Sequence, residues 1–256
     1  MSIAVIGGSG LDQLASFSGA ESVCIDTPYG KHSGPILRSK LDDQTATFFL
    51  PRHGSQHEWP PHLVNYRANI WALKSLGVEK IVACNVVGGI TEKMSPKTLL
   101  IPHQLIDYTW GREQTFFSGA ASEYSDQWIA EHVEHIDFTQ PYSESLRHRI
   151  MQFLTSIDVQ YIDNGVYGCT QGPRLETAAE IQRMSNDGCD IVGMTAMPEA
   201  TLARELNMDY ACLSLVVNWA PGVTDEILSI ETIMETISTE MKKVCQFMPK
   251  LLNYLS

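Results

Sequence analysis

One apolar run of the chain is followed closely by a guanidinium and three imidazoles, at Arg52, His53, His57 and His62. A guanidinium binds phosphate oxygens through two parallel N–H bonds, and an imidazole adds a further hydrogen bond. We therefore interpret this segment as a phosphate-recognition loop. A metal site is one alternative, but Glu58 is the single carboxylate nearby and the spacing matches no helical zinc motif. A purely structural loop is the other alternative.

Polar side chains also stand near the ends of other apolar runs. Asn85 interrupts a run that ends at Gly88 and Gly89, and paired glycines allow a ligand to approach the backbone closely. Asn218 ends a second run. A carboxylate accepts N–H groups and an amide both donates and accepts, so Glu176 and Asn218 together suit the polar edge of a heterocycle. The structural alternatives are an Asn85 bonded to a neighbouring strand and a Glu176 favoured by a helix dipole.

A glycine-rich loop, Gly7-Gly-Ser9-Gly10, follows the first apolar run. Such a loop can point N–H groups at an anion, although a tight turn is the simpler interpretation. It is not the dinucleotide fingerprint, because Gln13 stands where the third glycine is required, and this disfavours an NAD-dependent oxidoreductase. The chain shows no Ser-His-Asp order and no close carboxylate pair. This inventory fits an enzyme that positions inorganic phosphate against an anomeric carbon.

The elements that must position these residues follow from hydrophobic periodicity. Short apolar runs predict strands at residues 2–6, 22–26, 35–40, 45–50, 79–87, 98–108, 160–170, 190–194 and 210–218. Apolar residues at helical spacing predict helices at residues 62–76, 141–157, from 175 onward, at 198–206 and from 230 to the C-terminus. This order predicts an α/β fold, and we expect one domain over residues 1–256.

Two segments have specific expectations. Residues 188–218 are predicted to form a βαβ unit, with Pro198 in the first helical turn, Glu176 in the first turn of the preceding helix, and the ligand beyond the strand ends. Residues 111–135 are polar and aromatic, which favours a surface lid or an interface segment over a core element.

Composition excludes several classes of protein. The chain has 256 residues and a net charge of −12, so no basic field is available for a nucleic acid. The six cysteines are scattered without a C-x-x-C motif, which is typical of reduced thiols in the cytoplasm. We expect no secretory signal, and no apolar run reaches the ~18 residues of a membrane span.

Seven blocks carry a resemblance to a known family. They are residues 6–11 (IGGSGL), 27–30 (TPYG), 52–54 (RHG), 64–73 (VNYRANIWAL), 172–174 (GPR), 193–199 (GMTAMPE) and 210–218 (YACLSLVVN). In these blocks the chain resembles the trimeric purine nucleoside phosphorylase/methylthioadenosine phosphorylase family nearly end to end. The resemblance implies a mixed central β-sheet flanked by helices and the reversible phosphorolysis of a purine nucleoside.

The resemblance also implies roles for individual residues. The phosphate would be bound by Ser9, Arg52, His53, Asn85, Val86 and Thr195. Met194 would lie against the ribose. Asn218 would bind N7 and the 6-substituent of the base, so Asn218 and His53 are the expected catalytic residues.

Substrate choice follows from the same comparison. The methylthioadenosine enzymes carry Asp where Asn218 stands, a small residue where Glu176 stands, and a second acid where Ala220 stands. Glu176 with Asn218 therefore indicates a 6-oxopurine. Ile230 aligns with the 5′ pocket, where an apolar residue suits a methylthio group, and His135 lies in the segment that reaches the neighbouring subunit in relatives.

We therefore expect a cytoplasmic homotrimer that converts S-methyl-5′-thioinosine and phosphate to hypoxanthine and 5-methylthioribose 1-phosphate. No cofactor or metal is expected, and inorganic phosphate is the co-substrate. Neither a nucleic acid nor a membrane is expected as a partner. The alternatives on the same scaffold are methylthioadenosine and inosine/guanosine phosphorolysis. A non-catalytic nucleoside-binding protein is the alternative of a different class.

Overall fold

The computed structural model describes residues 2–8, 10–11, 17, 19–40, 46–117, 134–225 and 229–256. Within these residues, ten strands form one mixed sheet and five helices cover it. The strands are β1 (Ser2–Gly7), β2 (Glu21–Val23), β3 (Ile36–Lys40), β4 (Ala46–Pro51), β5 (Val78–Gly89), β6 (Leu99–Leu100), β7 (Gln104–Asp107), β8 (Val166–Cys169), β9 (Ile191–Gly193) and β10 (Asp209–Trp219). The helices are α1 (Tyr66–Ser75), α2 (Glu144–Ser156), α3 (Ala178–Asn186), α4 (Ala196–Glu205) and α5 (Ile230–Leu255). The predicted α/β fold class is confirmed.

Local side-chain chemistry sets where most of the helices begin. Asn65, Ser143, Thr177 and Ser229 each accept a hydrogen bond from a backbone N–H in the first turn of α1, α2, α3 and α5. Such caps satisfy donors that the helix leaves unpaired. Thr195 holds the same position before α4 but makes no capping bond with its side chain. Its hydroxyl therefore remains available for another partner.

The long strand β5 organises the sheet. β10 pairs along one edge of β5 over nearly its whole length, in parallel. β1 pairs in parallel along the other edge, and its last register partner is Ala83. β9 pairs on that same edge but antiparallel, at Gly88 and Gly89. Residues 84–87 of β5 are therefore left between the carboxyl ends of β1 and β9, which face each other.

These facing ends determine where loops converge. β4 runs parallel to β1, so the residues after β4 emerge beside the glycine loop after β1. β8 runs parallel to β9, so the residues after β8 emerge beside those after β9. Two groups of loops thus approach residues 84–87 of β5 from opposite directions. Asn218, near the end of β10, lies in register with Gly88 on the other edge.

The sheet separates two apolar layers. Side chains alternate between its faces, as the two-residue period of a strand requires. Ala4 and Ile6 belong to one buried cluster, with residues of α1 and α4. Ile3 and Val5 belong to the other, with residues of α2 and α5. The central strands are covered on both faces, which explains their continuous apolar sequence.

The predicted βαβ unit is wrong in one respect. β9, α4 and β10 follow one another along the chain as expected, but β10 is parallel to β5 whereas β9 is antiparallel to it. The two strands consequently run in opposite directions. The sequences of β9 and β10 are buried apolar runs, and such a run does not indicate whether the strand is parallel or antiparallel to its neighbour.

Other predicted boundaries also changed. Residues 98–108 form two strands rather than one, because Pro102 has no N–H and the chain changes partner there, from β10 to β8. Only Val166–Cys169 of the predicted strand 160–170 is a strand. Glu176 precedes the cap Thr177 of α3 and is therefore not in its first turn.

Segment 111–135 differs from the prediction at its beginning. Arg112 and Phe116 are buried, and Phe116 packs in the cluster that contains Trp71. Residues 118–133 lie outside the described residues, so the expectation of a lid or interface stays a prediction for that part. None of the described helices is both long and apolar enough to cross a bilayer.

Candidate active site

A cavity of about 640 Å³ lies where the two groups of loops converge on β5. Most of the residues selected from the sequence line this single space. They are Arg52, His53, Asn85, Val86, Glu176, Met194, Thr195, Asn218 and Ile230. The residues come from six separate segments of the chain, so their convergence is a property of the fold.

Three selected residues are not among those that line the cavity. Ser9 lies outside the described residues, although its neighbour Gly8 is at the cavity wall. Ala220 is buried behind Gly88, and its amide donates to the carbonyl of Gly89. His135 is exposed beside residues 118–133. Neither Ala220 nor His135 contacts the cavity within this chain.

Arg52 stands at one end of the cavity and is 1% exposed. Its Nε and Nη2 both donate to the carboxylate of Glu199, with Nη2 3.0 Å from Oε2. Nη1 donates to the carbonyl of Cys84 at 3.0 Å, and Nη2 also donates to that of Ile6 at 3.4 Å. The two-pronged edge expected to bind phosphate is therefore occupied by Glu199. Of the five N–H groups of the guanidinium, one on Nη1 remains.

His53 adjoins Arg52 and is held in one tautomer. Its Nδ1 donates to the carbonyl of Trp59 at 2.7 Å, and because a carbonyl can only accept, Nδ1 must carry the proton. Burial and the positive charge of Arg52 lower the pKa of His53 to about 4. The neutral ring therefore presents Nε2 as an acceptor. Nε2 and Cδ2 face Gly8, where an added Cβ would lie 2.9 Å from Cδ2, so glycine permits the close approach.

The middle of the cavity has polar atoms without partners. Oδ1 of Asn85 and Oγ1 of Thr195 are buried and have no hydrogen-bond partner within the described part of the chain. Nδ2 of Asn85 donates to the thiol of Cys212, at 3.6 Å. Buried polar atoms are nearly always satisfied in folded proteins. Two such atoms at one cavity wall are therefore consistent with a ligand that completes their hydrogen bonds.

The opposite end of the cavity carries the carboxylate and the amide. Oε1 of Glu176 accepts a 2.6 Å hydrogen bond from the hydroxyl of Thr170, whereas Oε2 makes no hydrogen bond to any described residue. Nδ2 of Asn218 donates to the carbonyl of Trp219 at 2.6 Å, which leaves Oδ1 unoccupied among described partners. One carboxylate oxygen and one amide oxygen are therefore available to a ligand.

The remaining wall of the cavity is apolar and partly open. Leu175, Ile230 and Met234 line it and are 40%, 58% and 57% exposed, respectively. Ile230 is the first residue of α5. Exposed apolar side chains around a cavity mark a contact with an apolar ligand group or with another protein chain.

Two buried charged residues were missed by sequence reasoning. Glu199 is the last residue of the block 193–199 and has no separate sequence prediction, yet it pairs with Arg52. Arg112 was placed in a surface segment, yet it donates to the carbonyls of Met194 and Thr170 at 2.9 and 3.1 Å. It therefore ties together the loops that follow β8 and β9. The apolar neighbours of Glu199 were a usable signal, because an isolated acid in a buried helix requires a partner.

Among the described residues, no group of three or more His, Cys, Asp or Glu side chains could hold a metal ion. The rings of His53 and His57 lie 4.6 Å apart between centroids, but no carboxylate or thiolate completes a set with them in the described chain.

Comparison with known proteins defines the class. A family model described as the Phosphorylase superfamily matches residues 2–253. This chain belongs to that superfamily. The fold comparison agrees, because the methylthioadenosine phosphorylase from Schistosoma mansoni, solved in complex with adenine, superposes with a TM-score of 0.89 at 30% identity. That match covers 99% of this chain and 91% of the other.

Individual relatives of this chain carry more specific names than the superfamily does. The chain is 48% identical over 252 residues to a probable S-methyl-5′-thioinosine phosphorylase from Pseudomonas syringae pv. tomato, covering 98% of each chain. It is 40% identical over 242 residues to the 6-oxopurine nucleoside phosphorylase from Pyrococcus furiosus, covering 94% of this chain and 88% of the relative. The family prediction made from the sequence is confirmed.

Proposed function

We propose that this protein catalyses the phosphorolysis of S-methyl-5′-thioinosine to hypoxanthine and 5-methylthioribose 1-phosphate. The observation that carries the proposal is that Glu176 and Asn218 line one cavity with Arg52 and His53. This reaction requires that groups binding the purine and groups binding phosphate lie in the same cavity. The names of the bacterial relatives that are 46–48% identical to this chain support the same substrate.

Phosphate would occupy the end of the cavity at Arg52. Hydrogenphosphate carries one P–OH, which can donate to Nε2 of His53, while its other oxygens accept the remaining N–H of Arg52 and the hydroxyl of Thr195. Nδ2 of Asn85, the backbone at Val86 and the loop containing Ser9 would supply further donors. A phosphate oxygen would then bond to C1′ as the C1′–N9 bond breaks, and the bonding electron pair leaves with the purine.

The base would lie at the end that holds Glu176 and Asn218. N1–H of a 6-oxopurine donates to the unoccupied Oε2 of Glu176. Asn218 would interact with N7 and the 6-oxygen, which stabilises the charge that develops on the leaving base. Adenine has no N1–H, so it would leave the carboxylate of Glu176 without a donor. This difference is the reason for proposing a 6-oxopurine.

The sugar would lie between the two ends, against Met194. Its 5′ substituent would reach the apolar wall that contains Ile230 and Met234. An S-methyl group loses no hydrogen bond there, whereas a 5′-hydroxyl would find no partner in those side chains. We therefore favour a methylthio substrate over inosine.

Kinetics of the purified protein test the proposal. Hypoxanthine release from S-methyl-5′-thioinosine is expected only when phosphate is present, with a kcat/KM above those for methylthioadenosine and inosine. A higher kcat/KM for either competitor would reassign the substrate within the superfamily. No base release from any of the three nucleosides, with or without phosphate, would favour a nucleoside-binding protein.

We further infer that the working enzyme is a cytoplasmic homotrimer of single-domain subunits that needs phosphate but no metal or organic cofactor. His135 supports the trimer, because it is exposed and lies outside this chain's own cavity, as a residue that serves a neighbouring subunit would. Light scattering at working concentration is expected to give three times the chain mass of 28.5 kDa. Activity is expected to survive treatment with EDTA.

A further inference from the structure

A line of buried hydrogen bonds joins Arg52 to Asn85, two of the predicted phosphate contacts. Glu199 receives both Nε and Nη2 of Arg52. The hydroxyl of Tyr210 donates to Oε2 of Glu199 at 2.9 Å. The thiol of Cys212 donates to that hydroxyl at 3.5 Å, and Nδ2 of Asn85 contacts the same thiol at 3.6 Å.

Every member of this line is buried. Glu199 and Cys212 are fully inaccessible, and Tyr210 is 2% exposed. Burial alone lowers the pKa of Arg52, but the charge and hydrogen bonds of Glu199 outweigh it and the net direction is upward. Burial raises the pKa of the Cys212 thiol to about 11, so the thiol keeps the proton that it donates. The line is therefore a neutral thiol and phenol attached to one ion pair.

The arrangement restricts what Arg52 can offer a ligand. Its other donors are taken by Glu199 and by the carbonyls of Cys84 and Ile6, so one N–H on Nη1 is left. Nη1 lies 3.7 Å from the position of a Cβ built on Gly8, so it faces the glycine loop. The charge of Arg52 is balanced by Glu199, and His53 is neutral. The subsite therefore depends on the direction of its donors more than on net positive charge.

We propose that Glu199 is a positioning residue of the phosphate subsite, which orients Arg52 directly and steadies Asn85 through Tyr210 and Cys212. This inference rests on the proposed function for its substrate. Glu199 does not line the cavity itself. Its removal should therefore impair the use of phosphate and leave recognition of the base unchanged.

The test compares Glu199→Gln and Tyr210→Phe with the wild-type enzyme. Glu199→Gln is expected to raise the KM for phosphate about tenfold or more, because the amide has one acceptor oxygen where the carboxylate offers Arg52 two, and the ion pair is lost. Tyr210→Phe keeps the ion pair and is expected to raise the KM for phosphate about threefold. The KM for the nucleoside and the affinity for hypoxanthine are expected to stay within about twofold of wild type in both variants.

Two matched controls separate positioning from general destabilisation. Glu144→Gln removes a carboxylate from another buried arginine, Arg147, which lies outside the cavity. Tyr161→Phe removes a hydroxyl that bonds to Thr155 at 3.0 Å, also outside the cavity. Neither control is expected to change the KM for phosphate, even where it lowers the melting temperature.

An unchanged phosphate KM in folded Glu199→Gln would overturn the inference, as would an equal loss of phosphate and hypoxanthine affinity. If Glu199→Gln does not fold, Tyr210→Phe decides by the same criteria. Calorimetric titration with inorganic phosphate makes the result independent of turnover. An inactive wild-type protein would refute the proposed function, and phosphate binding by the variants would still support or overturn the role of Glu199.

Discussion

The hydroxyl of Thr170 lies 2.6 Å from Oε1 of Glu176 and donates to it. The same hydroxyl is 3.3 Å from the carbonyl of Gly193, so Thr170 connects the loop after β8 to the end of β9. The hydrogen bond to Oε1 fixes the orientation of the carboxylate. Oε2 is therefore held in position while it remains available to a ligand. A preorganised acceptor of this kind loses little conformational entropy when a ligand donates to it.

Replacement of Glu176 by Gln should reduce the use of 6-oxopurine nucleosides. The amide has one acceptor oxygen, and Thr170 and N1–H would compete for it. A hydrogen bond to a charged group contributes about 1.5–3 kcal/mol, so kcat/KM for S-methyl-5′-thioinosine should fall about 10- to 100-fold. The value for methylthioadenosine should not fall, since its N1 carries no hydrogen. Glu180→Gln, which neutralises an exposed carboxylate that pairs with Arg174, is the control and should affect only stability.

Replacement of Asn218 by Asp should favour 6-amino substrates. A carboxylate can accept from a 6-amino group and from a protonated N7, but it cannot donate to a 6-oxygen. The ratio of kcat/KM for methylthioadenosine to that for S-methyl-5′-thioinosine should rise at least about tenfold, equivalent to one hydrogen bond of ~1.4 kcal/mol. Asn253→Asp, on the exposed part of α5, should leave the ratio unchanged. An unaltered ratio in Asn218→Asp would contradict the proposal that the amide binds the 6-substituent and N7.

Replacement of Ile230 by His should weaken the preference for the methylthio group. An imidazole offers a 5′-hydroxyl a hydrogen bond and displaces apolar surface from the S-methyl group. One such group is worth about 1–3 kcal/mol of discrimination, so the preference for S-methyl-5′-thioinosine over inosine should fall by about tenfold or more. Ile157→His, at an exposed position outside the cavity, is the matched control. If Ile230→His and wild type show the same preference for S-methyl-5′-thioinosine over inosine, the 5′ substituent does not bind at Ile230.

His53 should make stability depend on pH. Its pKa is about 4 in the folded chain, against an ordinary value of 6.5. Between these values the unfolded chain binds a proton that the folded chain does not, so the free energy of unfolding decreases as pH falls from 6.5 towards 4. The full shift corresponds to roughly 3 kcal/mol.

Urea unfolding at pH 7 and pH 5 measures this effect. His53→Asn keeps a donor for the carbonyl of Trp59 but does not titrate, so the stability difference between the two pH values should be smaller than in wild type. His148→Asn, an exposed histidine of α2, should retain the wild-type difference. A His53→Asn variant with the full wild-type difference would show that His53 does not supply the pH dependence.

Much of the site was predictable because its residues interrupt apolar runs. Asn85, Thr195 and Asn218 are polar residues within or just after buried strands, and such residues need partners. Their chemistry indicates a phosphate and a heterocycle as ligands. The family resemblance supplies the individual roles, and the convergence of these residues on one cavity is consistent with them.

The direction of the strands was not predictable from these runs. The sequence of a buried strand does not show its direction, so the sequence suggested a parallel βαβ unit where β9 and β10 run in opposite directions. The break at Pro102 is predictable from the sequence, because proline has no N–H for a strand ladder. Arg52 and Glu199 lie 147 positions apart, so the apolar neighbours of Glu199 indicate that it needs a partner but do not identify Arg52. The carbonyls of Met194 and Thr170, to which Arg112 donates, lie 82 and 58 positions away from it.

The most direct measurement is a crystal structure of the protein with hypoxanthine and phosphate bound together. We predict N1 of the base within hydrogen-bond distance of Oε2 of Glu176, N7 and the 6-oxygen at the amide of Asn218, and phosphate between Nη1 of Arg52 and Nε2 of His53. A base that binds with a different edge towards these two side chains, or a phosphate remote from Arg52, would contradict the account.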